Sequence, residues 1–598
     1  MTRQTGRVTV SATQLAAPAE TGAEARRPAR RKAANWRGRG WRVRLPVFAV
    51  TTILALLVLP PLVILVRTSL TDYSAPGDDL TLYNFTSLFA DPLLYVSAFN
   101  SVLFAALSTL LSLIIGAVVA WIVERSNAPF KRLAVLTTVI SLGTPAILYV
   151  YAWVFLLGRA GPVNATWRWL TGTRDNLVDI YSIPGMVLVE GFLWVPLVFL
   201  LCSATFKRQN ADLEEAARMS GANVFDTVLR VSLPMAKPAL LGLALFIFIR
   251  NIEAFDVPVL LGTPGGIKLL TSDVYLAMTR VPPDLGHSSA FAVIMILLVS
   301  VLLYFYGRVS RSADRYASVT GKGFRPRPFD LGRYRWVGGA IILLNFLLVL
   351  AAPLSAILWN SVTPFVRPFS IAALSNLSVG NYTQVLTDPY YLDMALNTVI
   401  VATAAATVAV ALTAVVAWFS VRNFPGSQAL EHLVSLPIVL PGIVLGVAMI
   451  QIALRTPFGL YGTLWLIVIA FVIRYMPYGM RYAQPGVMQI HRELEEAAGI
   501  AGAGQAGIFR RVVFPLLSPA LLAAWLFIFL LASKELSIAI LLAGSNSKTI
   551  AVAMFDQWTN GQAGEVAALG MIWTVLMSCL AALMIWLTGK DKKSEGTL

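Results

Sequence analysis

Long uninterrupted apolar runs are the feature that most restricts how this 598-residue chain can fold. About 20 apolar residues are enough for one helix to cross a lipid bilayer, and the chain contains many such runs. In lipid, a helix satisfies its backbone hydrogen bonds within a single segment. A membrane barrel would instead show alternating segments of about 10 residues, and that pattern is absent. The sequence therefore predicts an all-α integral membrane protein.

The apolar runs predict about twelve transmembrane helices, arranged as two sets of six. The predicted spans are 46–67, 99–123, 134–157, 183–206, 236–260 and 288–307, followed by 337–359, 396–419, 433–454, 461–483, 517–542 and 566–588. The predicted domains are a disordered basic cytoplasmic arm at 1–45, a first half at 46–307, a basic cytoplasmic linker at 308–335, a second half at 336–588 and a cytoplasmic tail at 589–598.

The basic residues predict the orientation of the spans. The net charge is +16, yet Arg and Lys concentrate in short segments such as 124–133 and 308–335, while loop 69–98 carries four Asp and no base. The positive-inside rule then places both termini in the cytoplasm, and the charge indicates contact with membrane lipid and no nucleic acid. A twin-arginine export signal is the alternative for the basic arm. No short apolar region with a small-residue cleavage site follows it, which favours a retained tail.

The two halves are internal copies of each other. The segment "NFTSLFADPLLYVSAFNSV" at 84–102 matches "NYTQVLTDPYYLDMALNTV" at 381–399, and "AVVAW" at 117–121 returns at 414–418 with the same spacing. An even number of predicted spans separates the copies, so both have the same orientation. Parallel repeats of this kind imply a pseudo-two-fold axis along the membrane normal. A transport pathway on that axis is one interpretation, and a duplicated bundle without a pathway is the other.

A polar segment between apolar runs also occurs twice. It reads "EEAARMSGANVFDTVLRVSLPMAKPAL" at 214–240 and "EEAAGIAGAGQAGIFRRVVFPLLSPAL" at 495–521. Each copy begins with good helix formers and then meets a glycine, which adopts positive φ at low cost. A second short helical stretch leads to a proline that suits the first turn of the next span. The pattern predicts a helix–turn–helix on the cytoplasmic face, of the kind that a groove in a soluble partner receives.

These two segments resemble the cytoplasmic EAA loop of the membrane subunit of ABC importers. The family pattern is EAA, three residues, Gly, nine residues and an apolar-x-Leu-Pro ending, and this sequence departs from it only at Phe514, which replaces the leucine. The resemblance covers residues 46–588 and implies a type I importer permease fold of two parallel six-helix repeats. The residues implied in ATPase coupling are Glu214, Glu215, Ala216, Ala217, Gly221 and Pro234, and Glu495, Glu496, Ala497, Ala498, Gly502 and Pro515.

The resemblance further implies the partners of the chain. Each loop would dock on one of two copies of a cytoplasmic ABC ATPase, and a periplasmic or lipid-anchored binding protein would deliver the substrate. The chain has no G-x-x-x-x-G-K-[ST] segment, the phosphate-binding loop of many ATPases. We therefore expect that it is not an enzyme and holds no cofactor of its own. ATP and Mg would be bound by the ATPase partner. The expected location is the inner membrane, in a multi-pass arrangement.

Two fused halves, each with its own EAA loop, resemble ferric-iron permeases. The stretch "SKELSIAILLAG" at 533–544 matches that group, and its counterpart in the first half is "RNIEAFDVPVLLG" at 250–262, where one inserted residue aligns Glu253 with Glu535. The resemblance therefore implies transport of ferric iron. Importers of thiamine, polyamines and aminophosphonates look similar and remain alternatives. An ion-coupled secondary transporter and a non-transporting scaffold are alternatives of a different class.

Acidic residues in or near the spans are the candidates for a translocation path. They are Glu190, Glu253, Asp256 and Glu535. A charge inside the bilayer costs at least a few kcal/mol, so such groups usually face a cavity or a partner. Acids near the axis would favour a cation, but Arg250, Arg474 and Lys534 lie in the same regions and could simply pair with them. The three histidines lie far apart in sequence, so no metal site is predicted.

Overall fold

The computed structural model describes residues 40–72, 79–209, 211–314, 328–367 and 371–594. Within these ranges the backbone is helical, and extended structure is limited to two isolated β-bridges. Most of the predicted basic arm, the middle of the predicted linker and the last four residues of the predicted tail lie outside the described residues.

The first half contains twelve α-helices in the described residues. They are α1 Gly40–Ser69, α2 Tyr83–Ala90, α3 Pro92–Arg125, α4 Lys131–Gly143, α5 Ala146–Leu157, α6 Pro162–Thr171, α7 Ile183–Arg208, α8 Ala211–Met219, α9 Val224–Thr227, α10 Leu233–Ile252, α11 Leu270–Thr279 and α12 Leu285–Asp314. Two π-helical turns, Val228–Ser232 and Pro258–Gly262, lie on either side of α10.

The second half contains thirteen α-helices in the part that the structure describes. They are α13 Arg335–Phe346, α14 Ala352–Ser361, α15 Gly380–Thr387, α16 Pro389–Val421, α17 Ser427–Ser435, α18 Gly442–Arg455, α19 Leu464–Gln489, α20 Arg492–Ile500, α21 Gln505–Ile508, α22 Phe514–Ala532, α23 Ala539–Leu542, α24 Ile550–Thr559 and α25 Ala563–Ser594. A π-helical turn, Leu347–Ala351, joins α13 to α14, and another, Phe509–Val513, joins α21 to α22.

The predicted number of spans agrees with the structure. In the described residues, eleven helices are long and apolar enough to cross a membrane, and the number reaches twelve when the bent pair Ser427–Val439 and Gly442–Arg455 is counted as one span. The all-α membrane architecture predicted from the apolar runs is therefore confirmed.

The third span of each half is broken rather than continuous. The predicted span 134–157 consists of α4 and α5, with Pro145 at the N-cap of α5. The helix that is long and apolar enough to cross the membrane in this region is Ala146–Thr171, so the span lies further along the chain than predicted. The predicted span 433–454 consists of α17, a 3-10 turn and α18, which meet at a bend of 106° with Pro441 at the N-cap of α18. Proline lacks an N–H and disfavours helical geometry in the residue before it, so each proline ends one helix and begins the next.

Four further predictions of helix or loop positions differ from the structure. The spans predicted to end at 260 and 542 leave α-helix at Ile252 and Ala532, because polar and charged residues follow directly. The predicted loop 158–182 contains α6, which has proline in its first turn and Gly172 at its C-cap in the left-handed region. Helix α12 continues to Asp314, well into the segment predicted to be a linker.

The same helix pairs pack together in both halves. Helix α3 packs on α7 and α10 as α16 packs on α19 and α22, and α10 contacts α12 as α22 contacts α25. The first span of each half crosses to the other half: α1 packs on α17 and α18, while α13 and α14 pack on α4 and α5. One hydrophobic core consequently runs through both halves and includes the fully buried Tyr151 and Phe471.

Candidate functional site

The two EAA loops have the same local structure. The first EAA loop (residues 211–232) consists of α8, a glycine turn, α9 and a π-helical turn that continues into α10. The second EAA loop (residues 492–513) consists of α20, a glycine turn, α21 and a π-helical turn that continues into α22. With the bent pair counted as one span, six spans separate the loops, so both lie on one side of the membrane.

The predicted glycines make the turn in each loop. Gly221 has φ of +85° and Gly502 has φ of +88°, a region that glycine adopts without steric cost. Beyond each glycine, a backbone N–H reaches back to the first helix: Ala222 donates to the Ala217 carbonyl at 3.0 Å, and Ala503 donates to the Ala498 carbonyl at 3.0 Å. These bonds close the helix ends in a Schellman geometry, so the two short helices of each loop meet at a fixed angle.

The first glutamate of the first EAA loop points inward. The Glu214 side chain is buried and forms an ion pair with Arg125 at the end of α3, with 3.4 Å between Nη1 and Oε2. The Ser232 hydroxyl donates to Glu214 Oε1 at 2.6 Å, and Arg125 Nη2 donates to the Gln209 carbonyl at 3.0 Å. We call this Arg125–Glu214 pair the first anchor. It joins the loop to the end of a membrane-spanning helix.

The second EAA loop has the equivalent anchor. Arg422 follows the last residue of α16 and forms an ion pair with Glu495 at 2.7 Å, and it also donates to the Ile490 carbonyl at 2.8 Å. The Trp418 indole N–H donates to Glu495 Oε2 at 3.0 Å. We call the Arg422–Glu495 pair the second anchor. Arg125 and Arg422 occupy matching places in the sequence repeat, as do Glu214 and Glu495.

The second glutamates and the alanines face outward to different degrees. Glu496 and Ala497 are exposed, as is Ala216, whereas Glu215, Ala217 and Ala498 are half-buried. Glu496 forms an exposed ion pair with Arg492 at 3.2 Å. Pro234 and Pro515 are the second residues of α10 and α22, directly after the π-helical turns.

Large apolar side chains lie on the outer surface of both loops. They are Leu213, Met219 and Phe225 in the first loop, and Leu494 and Ile500 in the second, with Met219 91% and Ile500 89% exposed. Each loop therefore presents an apolar surface beside an exposed or half-buried glutamate.

Sequence analysis missed the two arginines of the anchors. Their signal lies in the repeat itself, because "AVVAW" continues to an arginine four residues after the tryptophan in both halves. Extending that repeat identifies Trp121 and Arg125 in the first half and Trp418 and Arg422 in the second. Their ion pairs with Glu214 and Glu495 could not be identified in this way, because they depend on how α7 and α19 pack.

The predicted intramembrane acids lie in one electrostatic cluster. Glu253, directly after α10, forms ion pairs with Arg250 at 2.6 Å and with Arg474 of the other half at 3.0 Å. Its Oε1 atom is buried and accepts no hydrogen bond from the described residues. Glu253 is therefore paired with two bases. Its ion pair with Arg474 joins α10 to α19 across the interface of the halves.

Glu535 is held by hydroxyl groups and by a helix terminus. The Tyr475 hydroxyl donates to Glu535 Oε2 at 3.0 Å, and the Ser537 hydroxyl donates to Oε1. A Cβ atom added at Gly442, the first residue of α18, would lie 3.2 Å from Oε1, so the carboxylate approaches the N-terminus of that helix. Glu535 comes three residues after α22 ends, whereas Glu253 follows α10 directly, so the two glutamates are not equivalent positions.

The breaks in the third spans bind basic side chains. The Lys534 ammonium donates to the Leu142 carbonyl near the end of α4 at 2.9 Å, and Arg474 donates to the Leu440 carbonyl before α18. Carbonyl groups at a helix C-terminus carry partial negative charge, which a cation neutralises. The two halves therefore bind a cation at matching breaks, although the cations come from different helices.

Glu190 and Asp256 complete the cluster. Glu190 is buried and accepts a hydrogen bond from the Trp194 indole N–H at 2.8 Å. Asp256 interacts electrostatically with Glu190, Glu535 and Lys534. The four acids outnumber the bases Arg250, Arg474 and Lys534 by one. In the described residues, no group of three His, Cys, Asp or Glu side chains is arranged to hold a metal ion.

Comparison with a family model identifies both halves. The model "Binding-protein-dependent transport system inner membrane component" matches residues 108–315 and 409–590, which together form more than half of the chain. The first matched segment includes the first EAA loop and the second includes the other loop.

Curated relatives are similar over most of the chain. A ferric transport system permease protein, FbpB, of Actinobacillus pleuropneumoniae is 27% identical over 466 residues, which are 76% of this chain and 66% of the relative. The putative FbpB 1 of Haemophilus influenzae is 25% identical and covers 75% of this chain and 70% of the relative. The spermidine/putrescine transport system permease protein PotB of Escherichia coli is 26% identical over 39% of this chain and 84% of the relative. The chain spans about two thirds of the length of the two ferric relatives.

A solved structure of a bacterial ABC transporter involved in the import of the acidic polysaccharide alginate is also similar. It is 16% identical, its match covers 46% of this chain and 96% of that chain, and the TM-score is 0.39.

Proposed function

Because the chain belongs to the family of binding-protein-dependent transport system inner membrane components, we propose that it is the membrane subunit of an ATP-driven importer that carries ferric iron into the cytoplasm. It lies in the inner membrane with both termini in the cytoplasm. The observation that carries this proposal is the pair of matched EAA loops on one side of the membrane, each anchored to a spanning helix.

The two loops support an arrangement with two ATPase subunits. Each loop offers an exposed apolar surface formed by Leu213 and Met219 or by Leu494 and Ile500, and each surface suits a groove on one soluble partner. One fused chain then binds two copies of the ATPase, which hold ATP and Mg. The coupling residues predicted from the sequence would lie at or directly beneath these two contacts.

The connections of the loops support a mechanism of alternating access. Each loop continues without a break into α10 or α22, and its anchor ties it to the end of α3 or α16. Closure of the ATPases on ATP would therefore move two spanning helices in each half. The halves would rock about the pseudo-two-fold axis and open the path alternately to the binding protein and to the cytoplasm.

The intramembrane cluster supports a cationic substrate. Glu190, Glu253, Asp256 and Glu535 lie in this cluster, and acidic side chains beside a translocation path favour a cation over an anion. The two FbpB relatives are described as ferric transport permeases, which supports ferric iron as the cation. The ion would pass by transient oxygen contacts.

A polyamine is the second candidate substrate. The PotB relative is described as a spermidine/putrescine permease, and a polyamine is also a cation. The same acidic side chains would therefore serve either substrate.

The test is ATP hydrolysis by the complex of this chain with its ATPase, reconstituted in lipid nanodiscs. We expect ferric-loaded binding protein to stimulate hydrolysis, and the unloaded protein to stimulate less. Stimulation by a spermidine-loaded binding protein but not by the ferric-loaded protein would transfer the assignment to polyamines. Transport that persists after ATP depletion would favour an ion-coupled secondary transporter.

A loop variant completes this test. The double substitution Glu215→Lys and Glu496→Lys should abolish the stimulation, because it reverses charge at both docking surfaces. Asp175→Lys is the control, since it reverses one acidic charge, as each of the two loop substitutions does, at an exposed residue outside both loops. Equal activity of the double variant and the control would contradict docking through these loops.

A further inference from the structure

Residues 329–331, which belong to the linker and lie just before the second half, pack on the cytoplasmic end of the first half. Phe329 forms an isolated parallel bridge with Ser126. The Phe329 N–H donates to the Arg125 carbonyl at 2.7 Å, and the Asn127 N–H donates to the Phe329 carbonyl at 3.0 Å. Phe329 is 3% exposed, as low as a core residue. We call residues 329–331 the docked linker segment.

Side-chain hydrogen bonds hold the docked linker segment in register. The Asn127 amide donates to Asp330 Oδ1 at 2.6 Å, and the Leu331 N–H donates to Asn127 Oδ1 at 3.1 Å. The Gly332 N–H also donates to Asp330 at 2.9 Å. The bonds from Gly332 and Asn127 keep the pKa of the Asp330 carboxyl below its usual range. The carboxylate form therefore accepts these bonds at neutral pH.

The Phe329 ring lies between a spanning helix and the first EAA loop. Its centroid is 5.9 Å from that of Trp121 on α3, and the Arg218 guanidinium of α8 lies over the ring at 5.1 Å from the centroid. A guanidinium at this distance is attracted by the face of the ring. The linker thus contacts the same two elements that the first anchor joins.

The second EAA loop obtains the corresponding packing from its own half. Trp418, the counterpart of Trp121, packs on Phe424 and Phe509 with centroid distances of 5.3 Å each. In the aligned repeats, the first half has Asn127 and Val228 at these two positions. Neither of these two positions can supply an aromatic side chain to Trp121, and Phe329 of the linker packs against Trp121 in the first half.

The arginine that contacts the Phe329 ring is also specific to the first half. The second loop has Gly499 where the first has Arg218, so a cation over an aromatic ring occurs at only one of the two loops in the described residues. At three aligned positions the first half has Asn127, Val228 and Arg218, where the second has Phe424, Phe509 and Gly499. Phe329 lies against both Trp121 and Arg218 in the first half.

We propose that Phe329 is a positioning residue for the first EAA loop, so that the linker between the halves completes a docking element that the second half builds from its own side chains. This inference rests on the proposed function, because the loop is taken to be a contact for the ATPase. The linker then has a role beyond joining the halves: it sets the position of one of the two loops relative to α3.

The test compares ATP-driven uptake with ATP hydrolysis in the reconstituted complex. Phe329→Ala removes the ring, and we expect uptake per ATP hydrolysed to fall about fivefold, the scale of one aromatic and one cation–π contact. Phe329→Trp should retain most of the wild-type ratio. Phe365→Ala is a control for loss of a cation–π contact alone, because Phe365 lies against the Arg367 guanidinium outside the EAA loops and is 67% exposed.

A rescue variant separates positioning from general stability. Adding Val228→Phe to Phe329→Ala gives the first half the aromatic residue that the second half has at Phe509, and uptake per ATP should recover. Recovery supports the proposal, and a ratio that stays low in a folded double variant overturns it. Should Phe329→Ala fail to fold, Arg218→Ala decides: a reduced ratio supports the proposal, and an unchanged ratio overturns it.

The wild-type complex shows whether a failure concerns the proposed function or only the role of Phe329. A wild-type complex without ATP-driven uptake of either cation contradicts the proposed function. A wild-type complex with normal uptake, together with a normal ratio in Phe329→Ala, contradicts only the role of Phe329.

Discussion

The first and second EAA loops share one means of attachment and differ in another. Both use a glutamate of the loop and an arginine at the end of a spanning helix, and both turn at a glycine of positive φ. They differ in the aromatic packing beside that ion pair, which comes from the linker in the first half and from the loop itself in the second. Both halves have the arginine–glutamate pair and the glycine turn, while the aromatic side chains that support them differ.

The intramembrane acids extend this comparison. In the first half, Glu253 is held by two arginines, one of them from the other half. In the second half, Glu535 is held by hydroxyl groups and by the N-terminus of α18. The two related segments therefore place a carboxylate in different surroundings. Guanidinium groups bind it in the first half, and uncharged donors bind it in the second. Substitutions should separate the two arrangements.

The largest expected effect is loss of the first anchor. Arg125→Ala leaves the Glu214 carboxylate buried without its charge partner, which costs about 3–5 kcal/mol. Arg422→Ala should cost less, because the second pair is 13% and 11% exposed against 3% and 4% for the first. Thermal unfolding and uptake measure both. The reversed pair, Arg125→Glu with Glu214→Arg, is the control, and a larger effect of Arg422→Ala would contradict the comparison.

A smaller difference is expected between the two intramembrane glutamates. Glu253→Gln leaves two guanidinium groups facing a neutral amide, and we expect a loss of about 3 kcal/mol. Glu535→Gln keeps an acceptor for the Tyr475 hydroxyl, so a loss of about 1 kcal/mol is expected. Unfolding of the purified protein in detergent gives both values. Similar losses for the two substitutions would show that the difference in partners has no energetic consequence.

The smallest effect is expected at the surface of the second loop. Arg492→Ala breaks the exposed pair with Glu496, and exposed pairs of this spacing contribute about 0.3–0.5 kcal/mol. The first loop has alanine at the position matching Arg492, so this pair adds to the difference between the loops only slightly. Arg510→Ala removes a guanidinium from the same loop outside this pair and serves as the control. A loss above 1 kcal/mol for Arg492→Ala alone would mean that the second loop depends on its surface charges.

Much of the fold could be predicted because hydropathy and repetition are local properties of a sequence. Apolar runs mark the spans, and the duplicated "EEAA" and glycine mark the two loops. The breaks at Pro145 and Pro441 were hidden, because the residues on both sides are apolar and a hydropathy pattern does not record the direction of a helix.

The partners within the site could not be predicted in the same way. The ion pair between Glu253 and Arg474 joins residues of different halves, and the contact of Phe329 with Arg218 joins a linker to a loop. Both depend on tertiary packing, for which this single sequence contains no periodic signal. Alignment with one inserted residue matched Glu253 to Glu535, but the helices end at different distances from these glutamates and place them differently.

The crossing of the first spans bears on how the chain is made. Helix α1 contacts α17 and α18, which are synthesised later, after the rest of the first half and two further spans. Until then, lipid or the insertion machinery must cover that face of α1, and the same holds for α4 and α5 until α13 and α14 arrive. Folding therefore ends with a late step in which helices of the first half pack against helices of the second half. In a nascent chain stopped after α12, the surfaces of α1, α4 and α5 that contact the second half would have no protein partner.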